Sequence, residues 1–404
     1  MAWLGEVPSN WGIVPFKRMV DIQNGSDHKH VEVNDGYPVI GSGGRFAFAS
    51  EYIYDGESVL LGRKGTVDKP LYVTGKFWTV DTMYWTKINP DACGRYCYYA
   101  ALNIPFALYS TSTALPSMTK GALSAHLLAC PPLEEQSAIA AFLDHETGKI
   151  DALITEQEKL LMLLAEKRQA TISHAVTRGL DSNAGLKKAG ISWLGEVPSN
   201  WQVVQLKHLC KLLKDGTHLP PPRVDEGVPL LSVRNIDGNN FGMREDDSLI
   251  SEEDYFDLCR AFEPEPGDVL LAIVGATLGK AAIVPVGLGR FHIQRSVAIF
   301  RPRAHLSSRW LHYCFLAGGF QRLLWEYTGF SAQPGIYLGT LANFKVPCPS
   351  GKEQSAIVAF LDEELAKLDQ LRLQAEHAIT LLKERRSTLI AAAVTGKIDV
   401  RQVA

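Results

Sequence analysis

The chain has 404 residues, with 41 lysines and arginines against 44 aspartates and glutamates, which gives a formal net charge of −3 at pH 7. This balance excludes a basic protein that coats nucleic acid along its whole length. Seven scattered cysteines, no apolar run of about 18 residues and no cleavable leader predict a cytoplasmic protein with reduced thiols and no membrane contact. Cys93 and Cys97 lack a second Cys or His pair at zinc-finger spacing, so no metal site is predicted.

A nine-residue motif near the start of the chain occurs twice. Trp-Leu-Gly-Glu-Val-Pro-Ser-Asn-Trp stands at residues 3–11 and returns unchanged at 193–201, an offset of 190. A variable region and a long helical segment follow each copy, so the same three parts appear twice in the same order. The predicted segments are a first domain at 1–132, a first long helix at 133–179, an exposed linker at 180–192, a second domain at 193–348, and a second long helix with a C-terminal tail at 349–404.

The first variable region is predicted to be a mixed α and β domain. Short apolar runs between glycine, aspartate and proline predict strands at 37–40, 58–61 and 78–80. Several cations stand beside glycines, where loops approach a ligand closely, and the acid-free stretch 92–133 contributes a further lysine. The candidate ligand contacts of this region are Arg45, Arg63, Lys64 and Lys120.

Each long segment is predicted to be one continuous helix. Residues 134–177 align without a gap to 352–395, and 22 of these 44 positions are identical. No proline interrupts either copy, good helix formers dominate, and 44 residues would span about 66 Å, so each helix is expected to pair with the other as a coiled coil. Apolar residues at coiled-coil spacing are the predicted pairing positions: Leu143, Ile150, Leu153, Leu160 and Leu164 in the first copy, and Leu361, Leu368, Leu371, Leu382 and Leu389 in the second.

The second variable region is also predicted to be mixed α and β. Strands are expected at 228–233, 268–273 and 296–300, followed by a helix at roughly 308–325. No aspartate or glutamate occurs from 269 to 325, while seven cations do, so this stretch predicts a positive face suited to phosphates. The alternative is a set of arginines scattered over a solvated surface. The candidate contacts in this stretch are Lys280, Arg290, Arg295 and Arg303.

Catalytic signatures are missing from the sequence. Residues 275–281 approach a phosphate-binding loop, but three residues instead of four separate the glycines, and alanine stands where Ser or Thr should hold magnesium, so a turn followed by a strand is predicted. No Asn-Pro-Pro-aromatic or Asp-Pro-Pro-aromatic tetrapeptide, no Gly-x-Ser-x-Gly and no His-Glu-x-x-His occurs. No catalytic residue and no cofactor are therefore predicted for this chain.

The ensemble of motifs resembles the DNA-specificity subunit of type I restriction-modification systems, and the resemblance extends over essentially the whole chain. The shared features are Trp-Leu-Gly-Glu-Val-Pro before each variable region and Glu-Gln-Ser-Ala-Ile at the start of each long helix. Further matches lie in the variable regions, at Asp215-Gly216-Thr217-His218, at Gly267-Asp268-Val269-Leu270, at Thr113-Ala114-Leu115-Pro116-Ser117 and at Ser331-Ala332-Gln333-Pro334.

This resemblance implies an α+β architecture in which two target recognition domains are separated by a pair of long antiparallel helices, with an internal pseudo-two-fold repeat. Each domain would read one half of a split double-stranded DNA target, and the helices would dock two modification subunits. Restriction subunits would be further partners. S-adenosylmethionine, and ATP with Mg²⁺, would be used by the partner subunits. Candidate DNA contacts added at this point are Thr217, His218, Arg234, Asn235 and Gln333.

One departure separates the two variable regions. The first contains Gly-rich stretches at 41–44 and 62–65 but lacks the Asp-Gly-Thr-His of the second, so the two half-sites are expected to differ in sequence. Two other functions stay open at this point. One is a stand-alone DNA-modifying enzyme with an unrecognised site, and the other is a coiled-coil scaffold that binds only proteins.

Overall fold

The structure is a computed structural model that describes residues 4–109, 116–328 and 334–400. Its helices are α1 (Gly94–Leu102), α2 (Lys120–Ala125), α3 (Leu133–Arg178), α4 (Leu206–Leu209), α5 (Glu252–Cys259), α6 (Ser308–Leu316), α7 (Gly318–Glu326), α8 (Leu338–Ala342) and α9 (Gly351–Val394). The strands up to the end of α3 are β1 (Gly12–Pro15), β2 (Val20–Asn24), β3 (Glu32–Val33), β4 (Tyr37–Gly41), β5 (Gly44–Ala49), β6 (Tyr54–Asp55), β7 (Ser58–Gly62), β8 (Leu71–Val73), β9 (Lys76–Thr79), β10 (Met83–Ile88) and β11 (Leu127–Cys130). The later strands are β12 (Leu186–Lys188), β13 (Glu196–Pro198), β14 (Gln202–Gln205), β15 (Cys210–Asp215), β16 (Val228–Leu231), β17 (Ile236–Asp237), β18 (Asn240–Phe241), β19 (Leu249–Ile250), β20 (Val269–Ala272), β21 (Ala281–Ile283), β22 (His292–Ile293), β23 (Val297–Pro302) and β24 (Lys345–Cys348).

Two compact units make up the chain. Unit 1 contains the residues up to Lys159 together with those from Ala375 onward, and unit 2 is Leu160–Gln374. Each unit therefore contains one variable region, one part of α3 and one part of α9. The units cut across the five segments predicted from the sequence because each long helix contributes to both.

The two units repeat the same sheet arrangement, which confirms the α+β class. Unit 1 has a four-stranded antiparallel sheet in the order β2-β10-β7-β8, and unit 2 has one in the order β15-β23-β20-β21. A parallel pair lies beside each, β4 with β9 and β16 with β22. The central strands β7 and β20 are fully buried, which explains why their sequences read as continuous apolar runs.

The helix predicted at 308–325 is two helices, so that prediction was wrong. The break falls at Ala317, whose backbone is extended (φ −62°, ψ 134°), and α7 starts with Gly318 and Gly319. A side chain at Gly319 would lie 2.7 Å from the backbone oxygen of Trp193, so the close approach of the repeated tryptophan motif requires this glycine. Helical periodicity continued through the break, which is why the pattern did not reveal it.

The long helices pair with antiparallel polarity within each unit. In unit 1, Arg386 of α9 donates to Asp151 of α3 at 2.8 Å, and in unit 2, Arg168 of α3 donates to Asp369 of α9 at 2.8 Å. These four residues occupy two repeat positions, because the repeat offset of 218 relates Asp151 to Asp369 and Arg168 to Arg386. The ion pair is therefore duplicated along with the helices.

The predicted pairing residues differ in burial between the two predicted seam positions. Leu143, Ile150, Leu164, Leu361 and Leu368 are buried, and Leu382 and Leu389 are half-buried. By contrast, the side chains of Leu153, Leu160 and Leu371 are exposed, at 52%, 39% and 47%. The second seam position lies four residues after the first, where buried residues include Thr147, Ile154 and Leu365. Polar residues such as Thr147 and Arg168 occupy some of these second seam positions. A search for regularly spaced apolar residues therefore did not detect them.

The connection between α3 and the second motif is largely exposed and contains a short strand. Its strand β12 pairs antiparallel with β13 of the repeated motif, with Lys187 opposite Val197. Gly179 follows α3 with φ 72° and lies against Trp201, where a side chain would come within 3.1 Å of the indole. Glycine therefore ends this helix in the left-handed conformation.

A short helix anchors each variable region on the long helix that follows it. In unit 1, Tyr99 of α1 donates to Asp144 at 2.6 Å, and in unit 2, Tyr313 of α6 donates to Asp362 at 2.6 Å. Burial, followed by the hydrogen bond to the carboxylate, raises the pKa of Tyr99 to about 12, and the same causes raise the pKa of Tyr313 to about 12. Both phenols therefore stay protonated donors across the neutral range.

The buried glutamine in each copy of the Glu-Gln-Ser-Ala-Ile repeat is expected to stabilise the fold. Gln354 is 1% exposed, accepts from the Ser307 N–H at 2.8 Å and donates to the Pro349 carbonyl at 2.9 Å, and Gln136 makes the matching bonds in unit 1. We expect Gln354→Ala to lower the free energy of unfolding by roughly 1–3 kcal/mol for each buried backbone group left unpaired. Urea denaturation of the full chain measures this.

The exposed neighbour Ser355 is the matched control, because its hydroxyl donates to the carbonyl of Gly351 on the surface of the same helix. Ser355→Ala should leave the unfolding midpoint unchanged. Equal midpoints for Gln354→Ala and the native chain would mean that the glutamine does not hold the variable region on the helix.

Candidate nucleic-acid interface

In unit 2, four backbone segments from distant parts of the sequence lie side by side. Thr217 forms a parallel β-bridge with Gln294, and the Arg295 N–H donates to the Thr217 carbonyl at 3.1 Å. The Ile273 N–H donates to the Ser296 carbonyl at 2.9 Å, and the Gly275 N–H donates to the Pro334 carbonyl at 2.7 Å. We call residues 215–219, 273–280, 294–296 and 334–337 the unit 2 loop cluster.

Unit 1 contains the same arrangement with a different sequence. The Ser26 N–H donates to the Thr79 carbonyl at 3.0 Å, the Arg63 N–H to the Thr82 carbonyl at 2.9 Å, and the Gly65 N–H to the Pro116 carbonyl at 2.9 Å. We call residues 24–28, 62–66, 79–83 and 116–119 the unit 1 loop cluster. All three bonds have counterparts in unit 2, where the Thr217 N–H donates to the Ile293 carbonyl at 3.1 Å and the Ile273 and Gly275 N–H groups donate as described above.

The bonds locate the counterpart of Asp-Gly-Thr-His that was expected to be missing from the first region. The Gly216 N–H donates to the Val297 carbonyl at 3.1 Å, and the Gly25 N–H donates to the Met83 carbonyl at 3.0 Å. A side chain would lie 2.2 Å from the Ile293 oxygen at Gly216, and 2.0 Å from the Val80 oxygen at Gly25. Asn24-Gly25-Ser26-Asp27 therefore occupies the place of Asp215-Gly216-Thr217-His218, and glycine is the one residue that both positions require.

Four predicted contacts come together in the unit 2 loop cluster. They are Thr217, His218, Lys280 and Arg295. His218 is exposed and its Nε2 lies 2.8 Å from a carboxylate oxygen of Asp215. In the part of the chain that the structure describes, Lys280 and Arg295 are exposed and form no ion pair. Two cations without counter-charges beside a hydroxyl and an imidazole form a surface suited to phosphates and base edges.

The predicted contacts of unit 1 lie at or near its loop cluster. Arg63 donates to the backbone carbonyl of Asp81 at 3.3 Å, and Lys64 is exposed. Lys120 is exposed on the first turn of α2, directly after the cluster. Arg45 stands on the β4–β5 hairpin and stacks over the ring of Phe48 at 5.1 Å. Among the described residues none of the four forms an ion pair, so all four positive charges remain available.

Three other predicted contacts have partners within the chain, one of them buried and two on the surface. Asn235 is 4% exposed, and its amide bonds to the Ser232 N–H and to the Gly242 carbonyl, so it shapes a loop and does not face solvent. Arg234 pairs with Asp246 at 2.8 Å, and Arg290 makes two bonds to Glu252 at 2.7 and 2.8 Å. Asn235 therefore has a structural role, and the carboxylates of Asp246 and Glu252 neutralise the two arginines.

Arg303 does not share a surface with Arg295. The two residues flank β23, with Arg295 before its first residue and Arg303 after its last. Eight residues separate them, which corresponds to roughly 26 Å along an extended chain. Arg303 is exposed, and its backbone N–H donates to the Leu209 carbonyl near α4, away from the loop cluster.

The acid-free stretch from 269 to 325 is consequently not one positive face. Arg290 pairs with Glu252, Arg301 with Asp268 at 2.7 Å, and Arg309 with Asp362 at 2.5 Å. All three carboxylates come from outside the stretch. Charge segregation along the sequence was therefore largely lost on folding, and the usable positive charge is confined to the loop cluster and a few isolated arginines.

The other predictions concern the glycine-rich residues 275–281, the late loops, and metal or membrane binding. Residues 275–281 form the turn between β20 and β21, as expected, with positive φ at Gly275 and Gly279. Gln333 and most of the predicted late loops lie outside the described residues. Within the ranges that the structure describes, no cluster of three metal-binding side chains occurs and no helix is long and apolar enough to cross a membrane.

Comparison with known proteins identifies a family. The model of the family described as the type I restriction modification DNA specificity domain matches residues 8–162 and 198–378. The type I restriction enzyme EcoBI specificity subunit of Escherichia coli is 24% identical over 421 residues, covering 98% of this chain and 88% of that protein. The MjaVIII specificity subunit of Methanocaldococcus jannaschii is 25% identical over 362 residues, covering 87% and 79%.

Two solved structures share the fold. One, described as the structural basis underlying complex assembly and conformational transition of the type I R-M system, matches with a TM-score of 0.74 and 17% identity over 97% of this chain and 100% of that chain. The other is the HsdS subunit from Thermoanaerobacter tengcongensis, with a TM-score of 0.52 and 17% identity over 97% and 98%. At 17% identity, both likenesses are likenesses of fold.

Proposed function

Because the chain belongs to the family of the type I restriction modification DNA specificity domain, we propose that it is the non-catalytic DNA-reading subunit of a restriction-modification complex. It reads a bipartite, asymmetric target, and each unit reads one half-site through its loop cluster. Adenine methylation belongs to partner subunits that bind S-adenosylmethionine, and cleavage belongs to restriction subunits that use ATP with Mg²⁺.

The observation that supports this function most directly is one backbone arrangement with two sets of side chains. Asn24-Gly25-Ser26-Asp27 in unit 1 corresponds to Asp215-Gly216-Thr217-His218 in unit 2. Arg63 and Lys64 correspond to Ile273 and Val274, since each pair precedes the glycine that donates to Pro116 or Pro334. A repeated backbone with different polar groups and charges presents two different hydrogen-bonding patterns, as two unlike half-sites require.

The long helices supply docking sites for two modification subunits. Leu153 and Leu371 are equivalent in the repeat and are 52% and 47% exposed, and Leu163 and Leu381 are equivalent and 51% and 50% exposed. Unit 1 contains Leu153 and Leu381, and unit 2 contains Leu163 and Leu371. Each unit therefore presents the same pair of exposed leucines, one from each helix, and this duplication fits two copies of one partner.

Exchange of one variable region tests the two-reader arrangement. Residues 12–133 begin at β1 and end at the start of α3, and β1 pairs with β11, so the two ends of a graft lie close together. Replacing them with the matching region of another family member is expected to change one half of the target and to leave the other half unchanged. Mapping of methylated sites in cells that contain the modification subunit reads out both halves.

The matched control replaces 202–351 instead, and it should change the opposite half-site alone. If either graft altered both halves, or if grafts from several donors failed to assemble, one unit would not be reading one half-site.

A further inference from the structure

Two of the most exposed apolar side chains of the described chain lie in the unit 2 loop cluster. Leu219 is 88% exposed and directly follows His218, and Tyr337 is 86% exposed and directly follows the segment that bonds to Ile273. Single exposed apolar side chains are common on protein surfaces, so it is the position of these two within one cluster of polar and positively charged residues that points to a binding role.

The backbone around both residues is held in place although their side chains are open. The Thr217 hydroxyl donates to the Leu219 carbonyl at 2.9 Å. The Tyr337 carbonyl accepts from the Thr340 and Leu341 N–H groups at 3.0 and 3.1 Å, at the start of α8. The two side chains are therefore presented from fixed positions, which lowers the entropy lost on contact with a ligand.

The width of the unit 2 loop cluster fits a groove of duplex DNA. The segments of the cluster follow one another as 215–219, 294–296, 273–280 and 334–337, joined by backbone bonds or bridges at each step. Three spacings of about 4.8 Å between neighbouring segments give about 14 Å from the first to the last. The major groove is about 12 Å wide, so a cluster of about this width can present its exposed side chains to one groove and its flanking phosphates.

We propose that Leu219 and Tyr337 are specificity-determining residues for the second half-site, a proposal that rests on the function proposed above. Leu219 contacts the C5-methyl group of a thymine, since apolar side chains recognise that group in the major groove. Tyr337 supplies a ring face and a hydroxyl that donates to or accepts from a base edge. The charge of the cluster selects duplex DNA as the occupant.

The test measures sequence preference in the assembled complex. Duplexes that carry each possible base pair at each position of the second half-site compete for the complex containing Leu219→Ser or Tyr337→Ala. We expect preference at one base pair to fall by roughly 5- to 150-fold, the range by which a single mismatch weakens binding. Preference throughout the first half-site should stay unchanged.

Val286→Ser is the matched control. Val286 is 90% exposed, but it follows the end of β21 that is remote from Lys280. It should leave every preference unchanged, and all variants should keep their affinity for non-target DNA, which verifies folding. Unchanged preference in both Leu219→Ser and Tyr337→Ala, or an equal change in Val286→Ser, would overturn the proposal. A native complex without any sequence preference would instead overturn the proposed function itself.

Discussion

Replacing Lys280 and Arg295 together with glutamate is expected to weaken DNA binding and to reduce the slope of log affinity against log salt by about 1.8. Each phosphate contact contributes about 0.9 to that slope on duplex DNA, because each one releases condensed counterions. Both residues are exposed in the unit 2 loop cluster, and no carboxylate among the described residues pairs with them. Titration of a labelled duplex with the assembled complex between about 50 and 200 mM salt measures the slope.

The two ends of β23 provide the control. Arg295→Glu and Arg303→Glu make the same chemical change on exposed side chains at opposite ends of one strand. The first should lower the slope by about 0.9, and the second should leave it unchanged. If the double variant kept the native slope, the unit 2 loop cluster would not contact the DNA backbone.

Replacing the exposed leucines of one unit with glutamate is expected to remove one modification subunit from the complex. An exposed leucine that becomes buried in an interface contributes roughly 1.5–3 kcal/mol, and a buried unpaired glutamate costs more than that gain. Leu153→Glu with Leu381→Glu should therefore leave one partner per chain, as should Leu163→Glu with Leu371→Glu. All four changes together should leave none. Native mass spectrometry gives the stoichiometry directly.

Met162 distinguishes a specific site from general apolar attraction. It is 64% exposed on α3, but the equivalent position of α9 is Thr380, so this apolar side chain is not repeated. Met162→Glu should leave two partners bound. Loss of a partner in that variant, or retention of both partners in the variant with four changes, would show that the repeated leucines are not the docking positions.

The frame of the protein could be predicted from the sequence because it is duplicated. The first long helix was predicted at 133–179 and is Leu133–Arg178 in the structure. The second long helix was predicted within 349–404, a range that included a C-terminal tail, and it is Gly351–Val394. The details of the helix seam could not be predicted in the same way. Thr147 and Arg168 occupy seam positions because the side chain of each finds a polar partner, the Leu143 carbonyl and Asp369 respectively. A search for regularly spaced apolar residues misses such polar positions.

The candidate site was only partly accessible to sequence reasoning. Lys280 and Arg295 remain predicted contacts because the structure leaves them without an ion-pair partner among the described residues. Nothing in the order of residues indicated that Glu252 would neutralise Arg290, since those two lie 38 positions apart. The equivalence of Asn24–Asp27 with Asp215–His218 was missed as well. One glycine is all that the two stretches share, and their common position is defined by backbone bonds to distant segments.

Those backbone bonds have a consequence for how such a protein changes over generations. The segments of each loop cluster are joined mainly through main-chain N–H and carbonyl groups, so their exposed side chains contribute little to folding. A substitution at an exposed cluster residue such as Leu219 or Arg295 therefore costs little stability, since surface changes away from such features usually stay within about 0.5 kcal/mol. New targets can then arise by single mutations in a lineage without a compensating change elsewhere, whereas Gly25 and Gly216 are expected to persist in every descendant that keeps the fold.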